Sequence, residues 1–243
     1  MTVSMPSNGH PFKDGHIEVR RVQTEADREL IQHLRDAVYV QAEHRIGGTG
    51  DFVNSFDRYN DESLWFVALD GSGQALGTVK VIRDSEKGLP YECIMGPQKK
   101  SPDDRIVEIG HLITLASAST RRVVLGLLRE AFAYCRNELQ ATHVVGDVFL
   151  DKTRGDAFYR HVGFKPIHGP YRDARFLEAP LSMIVMLRVA DVVPLMRRAK
   201  GNRKEIFRFL TGGCHDPEML NAAAPELATS HPSHPPGRTE ELL

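Results

Sequence analysis

The sequence predicts an α/β fold: a mixed central sheet flanked by helices on both faces, with an extra basic helix toward the C-terminal end. Three observations carry this. The apolar segments Leu64 to Leu69 and Ala75 to Ile82 flank Asp70-Gly71-Ser72-Gly73, a turn able to supply positive φ, so they form an antiparallel hairpin. A ten-residue strand pattern, Ile106 to Leu115, precedes Val124, Leu128, Ala131, Cys135 and Leu139, whose steps of 4, 3, 4 and 4 mark an amphipathic helix over about 120 to 139. Strand and helix patterns then alternate, which requires a sheet of mixed direction.

The other elements follow in order. Residues 1 to 15 are polar and rich in Gly and Pro and are expected to be disordered, leaving 16 to 190 as the folded domain. Ile17 to Val22 is the first strand. Thr24 caps a helix and Asp27 at its third position supplies the reciprocal bond; Leu30, Leu34, Ala37 or Val38, and Gln41 or Ala42 keep one face apolar until Gly47-Gly48. After a Pro, Gly and Lys-rich loop comes the Ile106 to Leu115 strand, which carries two unexpected polar residues, Glu108 and His111. Val144 to Leu150 is a strand, Thr153 to His161 a short helix closed by Gly163, and Phe164 to Ile167 and Ser182 to Val189 two further strands. Asp191 opens a last helix reaching about Leu210, weakened at Gly201, so 191 to 212 forms the basic helix. Residues 213 to 243 hold five prolines and little that could pack, and are expected to be a disordered tail.

Composition narrows the function classes. Lys plus Arg is 31 against 32 for Asp plus Glu, a net charge of -1, so the overall balance demands neither nucleic acid nor an anionic membrane. The three cysteines, Cys93, Cys135 and Cys214, are far apart with no C-x-x-C pair, which disfavours a disulfide framework and a zinc finger. Residues 1 to 15 lack the apolar core of a signal peptide, and the apolar run Leu181 to Leu187 is far short of the roughly 20 residues of a membrane span. A reduced, cytoplasmic protein is expected. No metal site is expected, since His231 and His234 lie in the tail and the core offers no paired ligands.

Phe158-Tyr159-Arg160-His161-Val162-Gly163-Phe164 is a short helix ending in Tyr, then Gly-Phe, then a strand. It resembles the closing motif of the GNAT superfamily of acyltransferases, and the element order extends the resemblance over about residues 17 to 189. That family's phosphate cradle, Q/R-x-x-G-x-G/A, belongs near Ser117 to Gly126, where this chain reads SASTRRVVLG. Arg121 and Arg122 are present, but the paired glycines that would offer backbone N–H groups to a coenzyme A pyrophosphate are not.

The branch that departs in this way comprises the N-acyl amino acid synthases and the acyl-homoserine-lactone (autoinducer) synthases, which take acyl chains from acyl carrier protein. The chain is similar to it in several places. Arg35, followed four residues later by Tyr39, resembles the branch's Arg and aromatic on the first helix. Phe56-Asp57 with Tyr59 and Asp61 resembles its acidic loop, Gly77-Thr78-Val79-Lys80 its Gly-x-x-Arg, and Glu108-Ile109-Gly110-His111 its Glu-x-Ser-Arg. The lactone synthases keep arginines where Lys80 and His111 stand. The departures lean away from S-adenosylmethionine and toward an N-acyl amino acid synthase. The resemblance thus implies a GNAT-like fold, no permanently bound cofactor, and an acyl carrier protein or acyl-CoA thioester as donor to the amine of an amino acid or similar small molecule. The rival readings are an acetyl-CoA-dependent N-acetyltransferase and a non-catalytic GNAT-like module that binds acyl ligands or a partner.

Amide synthesis from a thioester needs a neutral amine, a polarised carbonyl and a proton for the leaving thiolate. Glu108, a carboxylate in an apolar strand, is the expected base, with a structural ion pair as the alternative. The N–H groups of Leu112 and Ile113 are the expected oxyanion donors. His111 lies three residues from Glu108, so in a regular strand the two would face opposite sides; either a β-bulge unites them or their jobs differ. Tyr159 is the expected acid for the thiolate, or else a core aromatic. Arg35, Asp57, Asp61 and Lys80 are expected to bind the acceptor, or else to be solvated charge. Arg121 and Arg122 are expected to bind the acyl donor or its carrier protein. Arg197, Arg198, Lys200, Arg203, Lys204 and Arg208 stand against Glu205 alone, a local field suited to an acidic carrier protein. The competing occupants of that helix are nucleic acid, which the overall charge disfavours, and an anionic lipid surface touched peripherally.

Overall fold

The computed structural model describes residues 12–14, 17–40, 57–115, 120–150, 155–176 and 180–212. Eight strands hydrogen-bond into one sheet: β1 (Phe12–Asp14), β2 (Ile17–Arg21), β3 (Ser63–Asp70), β4 (Ala75–Arg83), β5 (Ile106–Thr114), β6 (His143–Phe149), β7 (Lys165–Arg172) and β8 (Leu181–Arg188), in the order β1-β2-β3-β4-β5-β6-β8-β7. β5 and β6 are parallel; the other neighbouring pairs are antiparallel. The mixed sheet is the one expected. The β3–β4 hairpin closes because Asp70 Oδ1 accepts from the N–H groups of Ser72 (2.8 Å) and Gln74 (3.0 Å) while Gly73 takes φ 85°.

Helix α1 (Glu25–Arg35) starts on the expected capping box, with Asp27 N–H donating to Thr24 Oγ1 and Thr24 N–H to Asp27 Oδ2, both at 3.2 Å. It continues as a π-helical turn over Asp36–Val40; the expected extension to Gly47-Gly48 lies outside the described residues. A short helix, α2 (Glu92–Met95), interrupts the loop before β5. The long helix α3 (Thr120–Asn137) lies on the opposite face, where Val123, Leu127, Leu128, Ala131 and Cys135 meet Val79, Val81, Val107 and Ile109 of the sheet. On the α1 face, Leu34, Tyr59, Leu89 and Tyr91 pack with Ile82, Ile106, Val145 and Ile184. Helix α4 (Gly155–Val162) joins the α3 side through Val162, and Gly163 ends it at φ 104°.

Three expectations need correction. Phe12–Asp14 pairs with β2, so the sheet begins before residue 16. β7 runs past Ile167 to Arg172 because two register shifts against β8 absorb the Gly169-Pro170 step. The last helix is not continuous: α5 (Val192–Arg198) and α6 (Gly201–Leu210) are separated where Ala199 becomes extended and buried and Gly201 takes φ 52°. A glycine lowers the cost of that break. Helix α6 docks on the α3 side through Ile206, Phe209 and Leu210 and leaves Lys204 and Arg208 outward.

Candidate active site

Parallel pairing of β5 and β6 runs from Ile106 opposite His143 to Ile109 opposite Gly146 and stops. Beyond it β5 continues beside β4 to Thr114 and β6 beside β8 to Phe149, so the two strands part and leave an opening in the middle of the sheet. At this point β5 carries a bulge: Thr78 faces Ile113 but Lys80 faces Gly110, so His111 and Leu112 share one position opposite Val79. His111 takes φ 48°, a left-handed conformation that costs a β-substituted residue about 1 kcal/mol. The bulge changes the strand's parity. Before it, Glu108 lies on the α1 face; after it, Ile113 does too, and His111 stacks near Trp65 on that face at 5.3 Å between ring centroids. The bulge thus puts Glu108 and His111 on the same side.

Glu108 is 1% exposed, and its Oε2 accepts the Tyr91 N–H at 2.8 Å. Burial pushes its carboxyl up to about 8, with the Asp147 charge adding to the effect. Asp147, two residues beyond Val145 and so on the same face as Glu108, borders the opening from β6. Its Oδ2 accepts from Tyr171 Oη at 2.6 Å and Arg175 Nη2 at 2.9 Å, while Arg175 also holds the buried Asp173 at 2.7 Å. Burial raises Asp147 to about 6, against these donors. Asp147, Tyr171, Asp173 and Arg175 escaped the sequence reading. Asp147 alone gave a signal, as a charge inside the apolar strand Val144 to Leu150, the same intrusion that marks Glu108.

On the β4 side the Arg35 guanidinium meets Asp57 through two bonds of 3.2 Å. Lys80 is fully buried, donates to Asn60 Oδ1 at 2.7 Å and sits 5.0 Å from the Trp65 ring centre, with Arg35 5.7 Å from the same ring. Burial depresses the Lys80 amine to about 7. Burial together with Arg35, Lys80 and Arg175 depresses His111 well below the usual histidine range, so its imidazole is neutral. The structure therefore brings Arg35, Asp57, Lys80, His111 and Glu108 to one face. Asp61 is not among them: it is 91% exposed and lies 3.8 Å from Lys87, because the 3-10 turn Asn60–Glu62 points it to solvent.

Leu115 N–H donates to Leu76 O at 2.9 Å, and by strand alternation Ile113 N–H also points at β4. Ile113 is thus held in the sheet ladder, which corrects its place as an oxyanion donor; Leu112 lies on the bulge. Tyr159 on α4 packs edge-on to Phe164 at 5.1 Å, and burial, with Asp147 adding, pushes its phenol up to about 12. It stays protonated at neutral pH. Arg121 and Arg122 are half-buried in the first turn of α3, and burial lowers Arg121. Residues 116–119, which precede them, lie outside the described residues. Arg197, Arg198, Lys200, Lys204 and Arg208 are exposed, Arg208 pairing with Glu205 at 3.2 Å, while Arg203 is half-buried over Phe207. Among the described residues no group of three His, Cys, Asp or Glu could hold a metal ion, and no helix is long and apolar enough to cross a membrane.

The arrangement can do acyl transfer: a buried carboxyl able to take a proton and a neutral imidazole share one face of the sheet beside its opening, and the phenol of Tyr159 lies near enough to Asp147 to feel its charge. Comparison with known proteins agrees. A family model described as N-acyl amino acid synthase FeeM matches residues 31–187, more than half of the chain. The structure of FeeM, an N-acyl amino acid synthase from uncultured soil microbes, superposes with a TM-score of 0.60 at 16% identity, covering 75% of this chain and 94% of that one. Apo FdhC, a nucleotide-linked sugar GNAT, gives 0.53 at 15% identity, covering 83% and 98%. Spermidine N-acetyltransferase from Vibrio cholerae, in complex with CoA and spermine, gives 0.51 at 14%, covering 74% and 99%. No curated protein matches in sequence. With the GNAT fold, the sheet opening and the family match together, the chain is an acyltransferase that belongs to the FeeM family of N-acyl amino acid synthases.

Proposed function

We propose that the protein moves a medium or long acyl chain from acyl carrier protein to the amine of an amino acid or similar small molecule. The observation that carries this is the buried Glu108 beside the opening between β5 and β6, on the face that also holds Lys80 and Arg35. The acceptor's ammonium gives one proton to the Glu108 carboxylate, and the freed amine attacks the thioester carbonyl. Leu112 N–H stabilises the oxyanion. As the C–S bond breaks, Tyr159 protonates the thiolate and regains a proton from the new amide nitrogen through water. The products are an amide, a thiol and the proton held by Glu108, which passes to solvent. Lys80 and Arg35 receive the acceptor's carboxylate.

The missing paired glycines in SASTRRVVLG, with the exposed Arg197, Arg198 and Lys200, favour a carrier protein over free coenzyme A. The reading includes a cytoplasmic reaction with no permanently bound cofactor, which a carrier-protein donor and the free thiols of Cys93 and Cys135 favour. Mass spectrometry of lipids extracted from a cell overexpressing the chain tests the reading, because an N-acyl amino acid carries both substrates in one mass. A new series spaced by CH₂ pairs on one amine is expected; an unchanged lipid profile alongside new acetylated amines would contradict it.

A further inference from the structure

We infer that Asp147 is the group that receives the acceptor's ammonium, and that Tyr171 and Arg175 position it for that task. The inference rests on the acyl transfer proposed above and assigns one end of its acceptor site.

Asp147 stands just past Gly146, the last β6 residue paired with β5, and so at the edge of the opening. Its side chain is 14% exposed. Tyr171 Oη and Arg175 Nη2 both bond Oδ2, at 2.6 Å and 2.9 Å. Oδ1 is shielded from solvent and has no hydrogen-bond partner among the described residues. An unmet carboxylate oxygen in such a place is costly, and a charged N–H donor from a ligand is what would meet it.

Charge points the same way. Arg175 faces two aspartates, Asp147 and Asp173, which leaves one negative charge on the cluster. The groups that face Asp147 from the surrounding elements are Glu108 on β5, Tyr171 on β7, Asp173 and Arg175 just beyond it, and Tyr159 on α4. With Asp147 near 6 and Glu108 near 8, the former is ionised at neutral pH while the latter keeps its proton. A single cation therefore neutralises the site. Lys80, on the far side of β5, supplies the opposite charge for a carboxylate, so an α-amino acid zwitterion matches both ends. Asp147 holds the ammonium, and Glu108, once ionised, takes its proton.

Calorimetric titration of the full chain with matched pairs tests this: L-phenylalanine against L-phenyllactate and L-leucine against L-leucate, which differ only in ammonium versus hydroxyl. For at least one pair the wild type is expected to bind the amino acid about 10- to 100-fold more tightly, the scale of a charge-assisted hydrogen bond. Asp147→Asn should bring the two within about twofold while leaving binding of an acyl carrier protein thioester unchanged. Tyr171→Phe, which removes one bond and leaves the fold intact, should narrow the preference part of the way and serves if the Asn variant does not fold. A wild type that binds neither pair or has no preference, or an Asp147→Asn variant that keeps it, would overturn the inference. Amide formation is scored separately, so loss of the acyl-transfer reading and loss of the Asp147 role are distinguishable.

Discussion

Glu108→Gln is expected to lower turnover by about 10²-fold or more, the usual scale of losing a general base, with the fold retained. Gln keeps the size and can still accept the Tyr91 N–H, so only the proton acceptor is removed. The wild-type kcat/KM should climb as pH rises toward about 8, where the carboxyl ionises, and the variant should lack that limb. Stability should move the opposite way. The folded protein holds the Glu108 proton to higher pH than the unfolded chain does, so its contribution is fully present below the ordinary carboxyl range and is lost as pH rises through about 8. The Gln variant should therefore melt higher than wild type at pH 9 and nearly equal to it at pH 5. Normal turnover at neutral pH in the variant, or a pH limb that survives, would remove Glu108 as the base and leave it a structural carboxyl.

Reversing Arg197, Arg198 and Lys200 to Glu is expected to raise KM for an acyl carrier protein thioester by about 10-fold or more at low salt, within the range over which steering changes association. All three side chains are exposed, at the end of α5 and in the break before α6, so reversal disturbs no packing. The difference from wild type should shrink as salt rises, because exposed charges are screened over about 8 Å at physiological ionic strength. An uncharged acyl-pantetheine should be used as before. Equal loss with both donors would indicate damage to the fold, and no loss with either would make the two helices a solvated surface.

The sheet was legible because its signals are local. The Asp70 to Gly73 turn, the period of α3 and the capping box at Thr24 each depend on a few neighbouring residues, and each element appears where the pattern puts it. The break at Ala199 was not legible, since it depends on Ala199 finding a buried place that no helical period announces. At the site, Glu108 stood out as a charge in an apolar strand, and Arg35, Asp57, Lys80, His111 and Tyr159 through the family resemblance. The bulge that brings His111 to the Glu108 face could be named as an option but not fixed, because it is set by pairing with β4. Arg175 and Asp173 lie after β7, far along the chain from Glu108, and reach it only through the β6-β8-β7 order. Asp61 misled because its neighbours Asp57 and Asn60 do reach the cluster, while one 3-10 turn carries its own side chain away.

The most direct test of the account is a comparison of donors with purified protein and a panel of amino acids, reading amide product by mass. Medium and long-chain acyl carrier protein thioesters are expected to give N-acyl amino acids with kcat/KM about 10-fold or more above that of the matching coenzyme A thioesters, as charge steering of the whole carrier protein adds to recognition of the shared acyl chain. Equal or better kcat/KM with acetyl-CoA would contradict it.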